Sequence, residues 1–143
     1  GGMPVYAPLC YYIPADKVYK PWITVGIGYK KTHKITTAPI TALIDSGADV
    51  CFCSKDIADF LGVSEKNKKK VIFTTANRSP LPTFLEELTI YVGGRSYDCS
   101  FYISDKLPLE TPIILGQLGF FDHHKVTFDL ESKEIEITYN LDN

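Results

Sequence analysis

The apolar run Ile40 to Ile44 leads directly into Asp45-Ser46-Gly47-Ala48, which puts a carboxylate at the rim of a low-dielectric core. Burying its charge there is costly unless something compensates. Gly47 permits a tight turn and lets backbone N–H groups approach the carboxylate or a bound molecule closely. Ser46 adds a small hydroxyl that can donate or accept beside the acid. A turn of this kind holds an acid in one orientation. Asp, Ser and Gly are also favourite turn residues, so the surroundings of the tripeptide decide its meaning.

Those surroundings read as strands. Ile23, Val25, Ile27 and Tyr29 alternate with Thr24, Gly26 and Gly28, which predicts a strand with one buried face. Lys30 to His33 is a polar turn, and Ile40 to Ile44 is a short strand entering the core. Ser54 to Leu61 has helical spacing, with Ser54 as cap, Ile57, Phe60 and Leu61 as the apolar face, and Gly62 at the end. Leu88, Ile90 and Val92 alternate up to Gly93-Gly94, and Tyr97, Cys99, Phe101 and Ile103 alternate after it, which predicts a hairpin. Val126-Phe128-Leu130 and Ile135-Ile137-Tyr139 flank a further polar turn at Glu131 to Lys133. Between these pairs lies Pro112-Ile113-Ile114-Leu115-Gly116, an apolar strand ending in glycine, followed by Gln117 to Phe121 with helical potential. The sum is a mainly β domain with one or two short helices.

Composition narrows the function. A chain of 143 residues, 45% hydrophobic and 22% charged, is the size and make-up of one globular domain. A net charge of −2 offers no electrostatic reason to expect nucleic acid or an anionic membrane as partner. The basic run Lys66 to Lys70 reads as a solvated loop. Cys51 and Cys53 are too closely spaced for a usual zinc motif and would share one face of a strand. With Cys10 and Cys99 they read as reduced thiols, which suits a cytoplasmic location. No stretch is long and apolar enough to span a membrane as a helix. Gly1-Gly2 ahead of Met3 reads as a tag remnant within an N-terminal extension of residues 1–20. Asp122-His123-His124 reads as a surface segment rather than a set of metal ligands, and no Gly-x-Ser-x-Gly elbow supplies an activated serine.

An apolar strand, Asp-Ser-Gly-Ala, a hairpin-rich middle, then Ile114-Leu115-Gly116 and a short helix, in that order, resemble the retropepsin-like aspartic proteases. The resemblance runs from about Ile23 to Tyr139. Ile114 to Asp122, with Val126 to Asp129 after it, is most similar to the cellular and prokaryotic branch. It implies a closed β-barrel or sandwich over residues 1–143 that acts as a two-fold symmetric homodimer. It also implies roles: Asp45 as the catalytic aspartate, Ser46 as the hydroxyl that braces the two active-site loops, and Gly47 as a carbonyl that accepts from bound peptide. Ala48 completes the loop, Asp49 helps bind the substrate backbone, and Gly116 packs behind the loop. Retroviral members usually carry Arg after that glycine; Gln117 stands here, and its amide is expected to hydrogen-bond Asp49. The flap falls near Thr74 to Pro80, with Ala76, Asn77 and Arg78 as substrate-binding positions and without a glycine-rich tip.

The implied activity is hydrolysis of peptide bonds by water activation at two carboxylates that share a proton. No cofactor or metal is required. The sequence holds one Asp-Ser-Gly and no Asp-Thr-Gly, so the second carboxylate must come from a second copy of the chain. The strand Glu134 to Tyr139 would otherwise leave an exposed edge and is expected at that interface. The alternative reading is a catalytically weak or inactive retropepsin-fold module that dimerises and binds peptides.

Overall fold

The computed structural model describes residues 4–8, 11–13 and 18–140, with side chains from residue 20 onward. Gly1, Gly2 and Cys10 lie outside the described residues. The elements are β1 (Pro4–Pro8), β2 (Tyr11–Ile13), β3 (Val18–Lys20), β4 (Trp22–Tyr29), β5 (Lys34–Ile35), β6 (Ile40–Ile44) and β7 (Cys51–Ser54). They continue with α1 (Lys55–Phe60), β8 (Lys70–Thr74), β9 (Pro80–Val92), β10 (Arg95–Ser104), β11 (Ile113–Leu115), β12 (His124–Asp129) and β13 (Glu134–Tyr139). The main sheet runs β5-β4-β6-β11-β7-β10-β9-β8, and pairing of β4 with β9 closes the strands from β4 to β9 into a barrel.

Alternation explains the closure. Ile23, Val25 and Ile27 of β4, Ala42 and Ile44 of β6, and Cys51 and Cys53 of β7 all turn inward. Phe101 and Ile103 of β10 and Ile113 and Leu115 of β11 join them in one buried cluster. Burying a side chain as large as Phe101, which is wholly inaccessible, stabilises by about 1.5–3 kcal/mol. The long hairpin β9–β10 turns at Gly93-Gly94, as the alternation predicts. Helix α1 is capped by Ser54, whose hydroxyl oxygen accepts from the Ile57 N–H at 3.3 Å. Its buried face is Ile57, Ala58 and the following Leu61; Phe60, expected on that face, is half exposed. Among the described residues no helix is long and apolar enough to cross a membrane.

The basic run is not uniformly solvated. Lys68 reaches the buried Glu86 carboxylate at 3.1 Å, and Glu86 also accepts from the Tyr29 hydroxyl at 2.6 Å. Burial pushes the Glu86 carboxyl up, but these partners and the Glu87 N–H together hold it below its ordinary value. This cluster fastens the loop after α1 to the barrel.

The chain ends form a smaller sheet of order β1-β13-β12. β13 is its middle strand, paired on one side with β1 and on the other with β12. The free edge expected of Glu134 to Tyr139 is therefore filled from within the chain. Ile135 and Ile137 carry this sheet onto the barrel core. His124, expected at the surface, is 5% exposed and stacks on Phe120 with ring centroids 4.4 Å apart. Its Nδ1–H donates to the Phe120 carbonyl at 2.9 Å, which fixes the neutral tautomer.

Burial lowers the His124 pKa, with a minor contribution from His123 in the same direction. A folded-state pKa below the unfolded value means that the unfolded chain binds the extra proton first. Stability is then full above the ordinary imidazole value of about 6.5 and falls as pH drops through it. Urea midpoints measured between about pH 7.5 and pH 5 are expected to fall, and His124→Phe is expected to flatten that fall while costing about 1 kcal/mol at neutral pH through the lost hydrogen bond.

Candidate active site

β11 lies between β6, to which it is parallel, and β7, to which it is antiparallel. The β6–β11 ladder pairs Ile44 with Leu115, and one residue on, the Asp45 N–H donates to the Leu115 carbonyl at 3.0 Å. Asp45 is thus the last rung of a sheet and the first residue of a loop. The Gly47 N–H donates to Asp45 Oδ1 at 2.9 Å, and the Ala48 N–H closes the turn on the Asp45 carbonyl at 3.1 Å. Asp45 is half-buried, with Ser46 and Gly47 exposed beside it.

A second segment clasps this loop. The Gln117 N–H donates to the Ala48 carbonyl and the Leu118 N–H to the Asp49 carbonyl, both at 2.9 Å. Val50 and Leu118 form an isolated parallel bridge. Gly116 sits at the centre of the clasp. A Cβ there would lie 2.2 Å from the Val50 carbonyl oxygen and 2.6 Å from that of Ala48. Both neighbours are backbone that the clasp already holds, so only glycine lets the two segments meet. The Gly116 N–H donates to Cys51 Sγ at 3.4 Å, and the Cys51 thiol donates to the Leu118 carbonyl at 3.5 Å. Burial pushes the Cys51 thiol up to about 11, so it stays protonated and neutral behind the loop. Cys53 and Cys99 are also buried free thiols, raised by the same cause.

The segment after the clasp is a set of turns rather than the helix expected of Gln117 to Phe121. Gly119 has φ +111°, and its missing Cβ would meet Cys51 Sγ at 2.9 Å. The Phe121 and Asp122 N–H groups reach back five residues, to the carbonyls of Gly116 and Gln117. That positive φ ends any α-helical run before it can begin.

Gln117 does not bond Asp49 as expected. Its Nε2 donates instead to the Ser46 carbonyl at 2.7 Å. A neutral carbonyl is well served by a neutral donor, so an amide here does what a guanidinium is not needed for. The Asp49 side chain is exposed. Ala76, Asn77 and Arg78 form the exposed tip of the β8–β9 hairpin, where Arg78 has φ +64°. The Thr75 and Ser79 backbones close that tip by a hydrogen bond of 2.9 Å. Sequence reasoning missed Cys51 as a hydrogen-bonding post. It also missed Phe52, Phe73 and Tyr102, whose rings cluster between the hairpin and the barrel. The alternation of Cys51, Phe52 and Cys53 was the available signal, since it puts Phe52 on the face opposite the thiols.

Asp122 is exposed and accepts from the Gly119 N–H at 3.0 Å. Asp129 accepts from Glu131 and Ser132 N–H groups in the β12–β13 turn. Both therefore serve turns.

The closed barrel defines the class of fold, and solved structures share that fold. The chain superposes on a retropepsin-like aspartic protease from Rickettsia conorii with a TM-score of 0.61 at 14% identity, over 96% of this chain and 91% of the other. The retroviral protease-like domain of Ddi1 from Leishmania major gives 0.56 at 15% identity, over 89% and 98%. EIAV protease complexed with an inhibitor gives 0.52 at 21% identity, over 68% and 82%. No family model matches the chain, and no curated protein matches it significantly. The protein is built on the retropepsin-like aspartic protease fold.

Gly116→Ala is expected to destabilise the protein by about 3 kcal/mol or more, because the added methyl meets fixed backbone rather than a movable side chain. Denaturant titration of the purified variant against wild type measures this directly.

Proposed function

We propose that the chain is an aspartic endopeptidase whose catalytic centre is a pair of Asp45 carboxylates, one from each copy of a symmetric homodimer. The observation that carries this reading is the Asp45 carboxylate itself. It ends a barrel strand, accepts from the Gly47 N–H, and stands on an open face in a loop clasped by Gly116 to Leu118. Two carboxylates brought within one hydrogen bond of each other cannot both ionise. The charged one takes a proton from water as that water adds to the peptide carbonyl, and the protonated one hydrogen-bonds the carbonyl oxygen. Collapse of the tetrahedral intermediate passes a proton to the leaving amine. Neither a covalent intermediate nor a metal or other cofactor takes part.

The motif occurs once in the sequence, which supports an isologous partner as the source of the second acid. In this reading Ser46 braces the paired loops and Ala48 and Gly116 hold each loop in place. The Gly47 carbonyl and Asp49 bind the substrate backbone, with Ala76, Asn77 and Arg78 closing over it. Residues 1–143 act as one retropepsin-like domain with an N-terminal extension through residue 20. Its buried free thiols suit a cytoplasmic location.

Wild type and Asp45→Asn compared on a mixed peptide library between about pH 4 and pH 7 test the proposal. Cleavage by wild type alone is expected, with the variant still dimeric by sedimentation. Equal cleavage by both, or a wild type that stays monomeric at high concentration while cutting, rules out the shared dyad. Failure of wild type to cut any peptide, together with failure to bind a pepstatin-like inhibitor, leaves a peptide-binding module instead. Gln117→Ala removes one neutral bond to the loop, about 0.5–1.5 kcal/mol, and is expected to lower kcat/KM by about two- to ten-fold with a fall in thermal midpoint of a few degrees.

A further inference from the structure

The turn that follows the clasp is held in part by side chains. Gly119 is buried, and its φ of +111° takes it off the helical path that would pair its backbone with neighbours four residues away. Its N–H donates to Asp122 Oδ1 at 3.0 Å, and its carbonyl accepts from the Tyr97 hydroxyl at 2.7 Å. The Cβ that Gly119 lacks would lie 2.9 Å from Cys51 Sγ. The residue is thus pressed against the Cys51 thiol and held at its carbonyl from β10. Gln117 and Leu118, just before it, supply the donors that take up the Ser46, Ala48 and Asp49 carbonyls. Tyr97 therefore acts one peptide away from the segment that holds the Asp45 loop.

That hydroxyl is delivered by a fixed ring. Tyr97 packs on the core cluster from β10, in the alternating set it forms with Cys99, Phe101 and Ile103. Its ring stacks on His123 with centroids 4.3 Å apart and planes at 28°, and the rings of His124 and Tyr139 lie 5.7 Å and 5.9 Å away. A ring packed by three others on a paired strand brings its hydroxyl to one place. Burial pushes the Tyr97 phenol well above its ordinary range, so it keeps its proton and donates at acid and neutral pH alike.

We infer that Tyr97 is a positioning residue for the Asp45 carboxylate: its hydroxyl fixes Gly119 and, through Gln117 and Leu118, the separation of the two paired acids. This inference rests on the endopeptidase reading, in which Asp45 is one of a pair. Two carboxylates that share a proton titrate at two apparent values, and the gap between those values grows as the acids come closer. The active form carries one proton, so the gap sets the width of a bell-shaped pH profile. Loss of the Tyr97 bond frees the Gly119 carbonyl and lets the clasp shift, which spreads the acids and narrows the bell from both sides. A hydrogen bond that served stability alone would leave that width unchanged.

The test compares full-length wild type, Tyr97→Phe and Tyr29→Phe, each variant losing one hydroxyl. Tyr29→Phe is the control, because it removes a tyrosine hydrogen bond of 2.6 Å, to Glu86, that takes no part in the clasp. Amide hydrogen exchange at Gln117 and Leu118 is expected to quicken in Tyr97→Phe by about two- to ten-fold, the equivalent of one hydrogen bond, and to stay as in wild type in Tyr29→Phe. On a cleaved peptide, Tyr97→Phe should lower kcat by about two- to ten-fold at unchanged KM and narrow the pH profile, while Tyr29→Phe keeps the wild-type kcat and width. A wild-type profile width in Tyr97→Phe, the same narrowing in Tyr29→Phe, or equal quickening of exchange in both variants overturns the inference and leaves the endopeptidase reading intact. Absence of cleavage by wild type overturns that reading and this inference with it.

Discussion

The structure depends on how closely two backbone segments approach at Gly116. Three carbonyls of the loop, those of Ser46, Ala48 and Asp49, are taken up by donors from Gln117 and Leu118. Each such pairing adds about 0.5–1.5 kcal/mol net. Together these bonds hold the loop in one arrangement, with Asp45 half-buried at the end of its strand. Cys51 stands behind it as a neutral post that accepts from Gly116 and donates to Leu118. A carboxylate at that position would put a buried charge beside the loop, and an alanine would leave both groups unpaired.

Around this clasp the sheet separates its two faces by purpose. The inner face is a closed core of aliphatic, aromatic and thiol side chains. On the outer face the β8–β9 hairpin packs Phe73 on Phe52 and Tyr102. The same hairpin is tied at its base by Lys68 to the buried Glu86. The hairpin is thus fixed at its root by rings and charge while its tip at Ala76 to Arg78 is exposed.

Much of the fold was legible in the chain. The alternation of Ile23, Val25 and Ile27 and the Gly93-Gly94 hairpin each rest on a local period, which a sequence carries openly. The Ser54 cap rests on a local signal of the same kind. The free edge expected of Glu134 to Tyr139 is filled because edge pairing is not local: nothing in that strand says that β1, from the far end of the chain, pairs with it. The Gln117 to Phe121 turn was misread because helical potential ignores the slot beside Cys51 that Gly119 fills. Phe60 and His124 exchanged surface and core for the same reason, since burial depends on what packs against a residue.

By itself the sequence determined that a β-rich chain would place one Asp-Ser-Gly at the end of an apolar strand and a glycine at the end of another. Periodicity and turn chemistry act over a few residues, and they suffice for that. Only the tertiary structure decided that these two ends meet and that Gln117 holds Ser46 rather than Asp49. Those outcomes turn on distances of a few tenths of an ångström between segments about seventy residues apart, and close packing of that kind is a property of the assembled barrel.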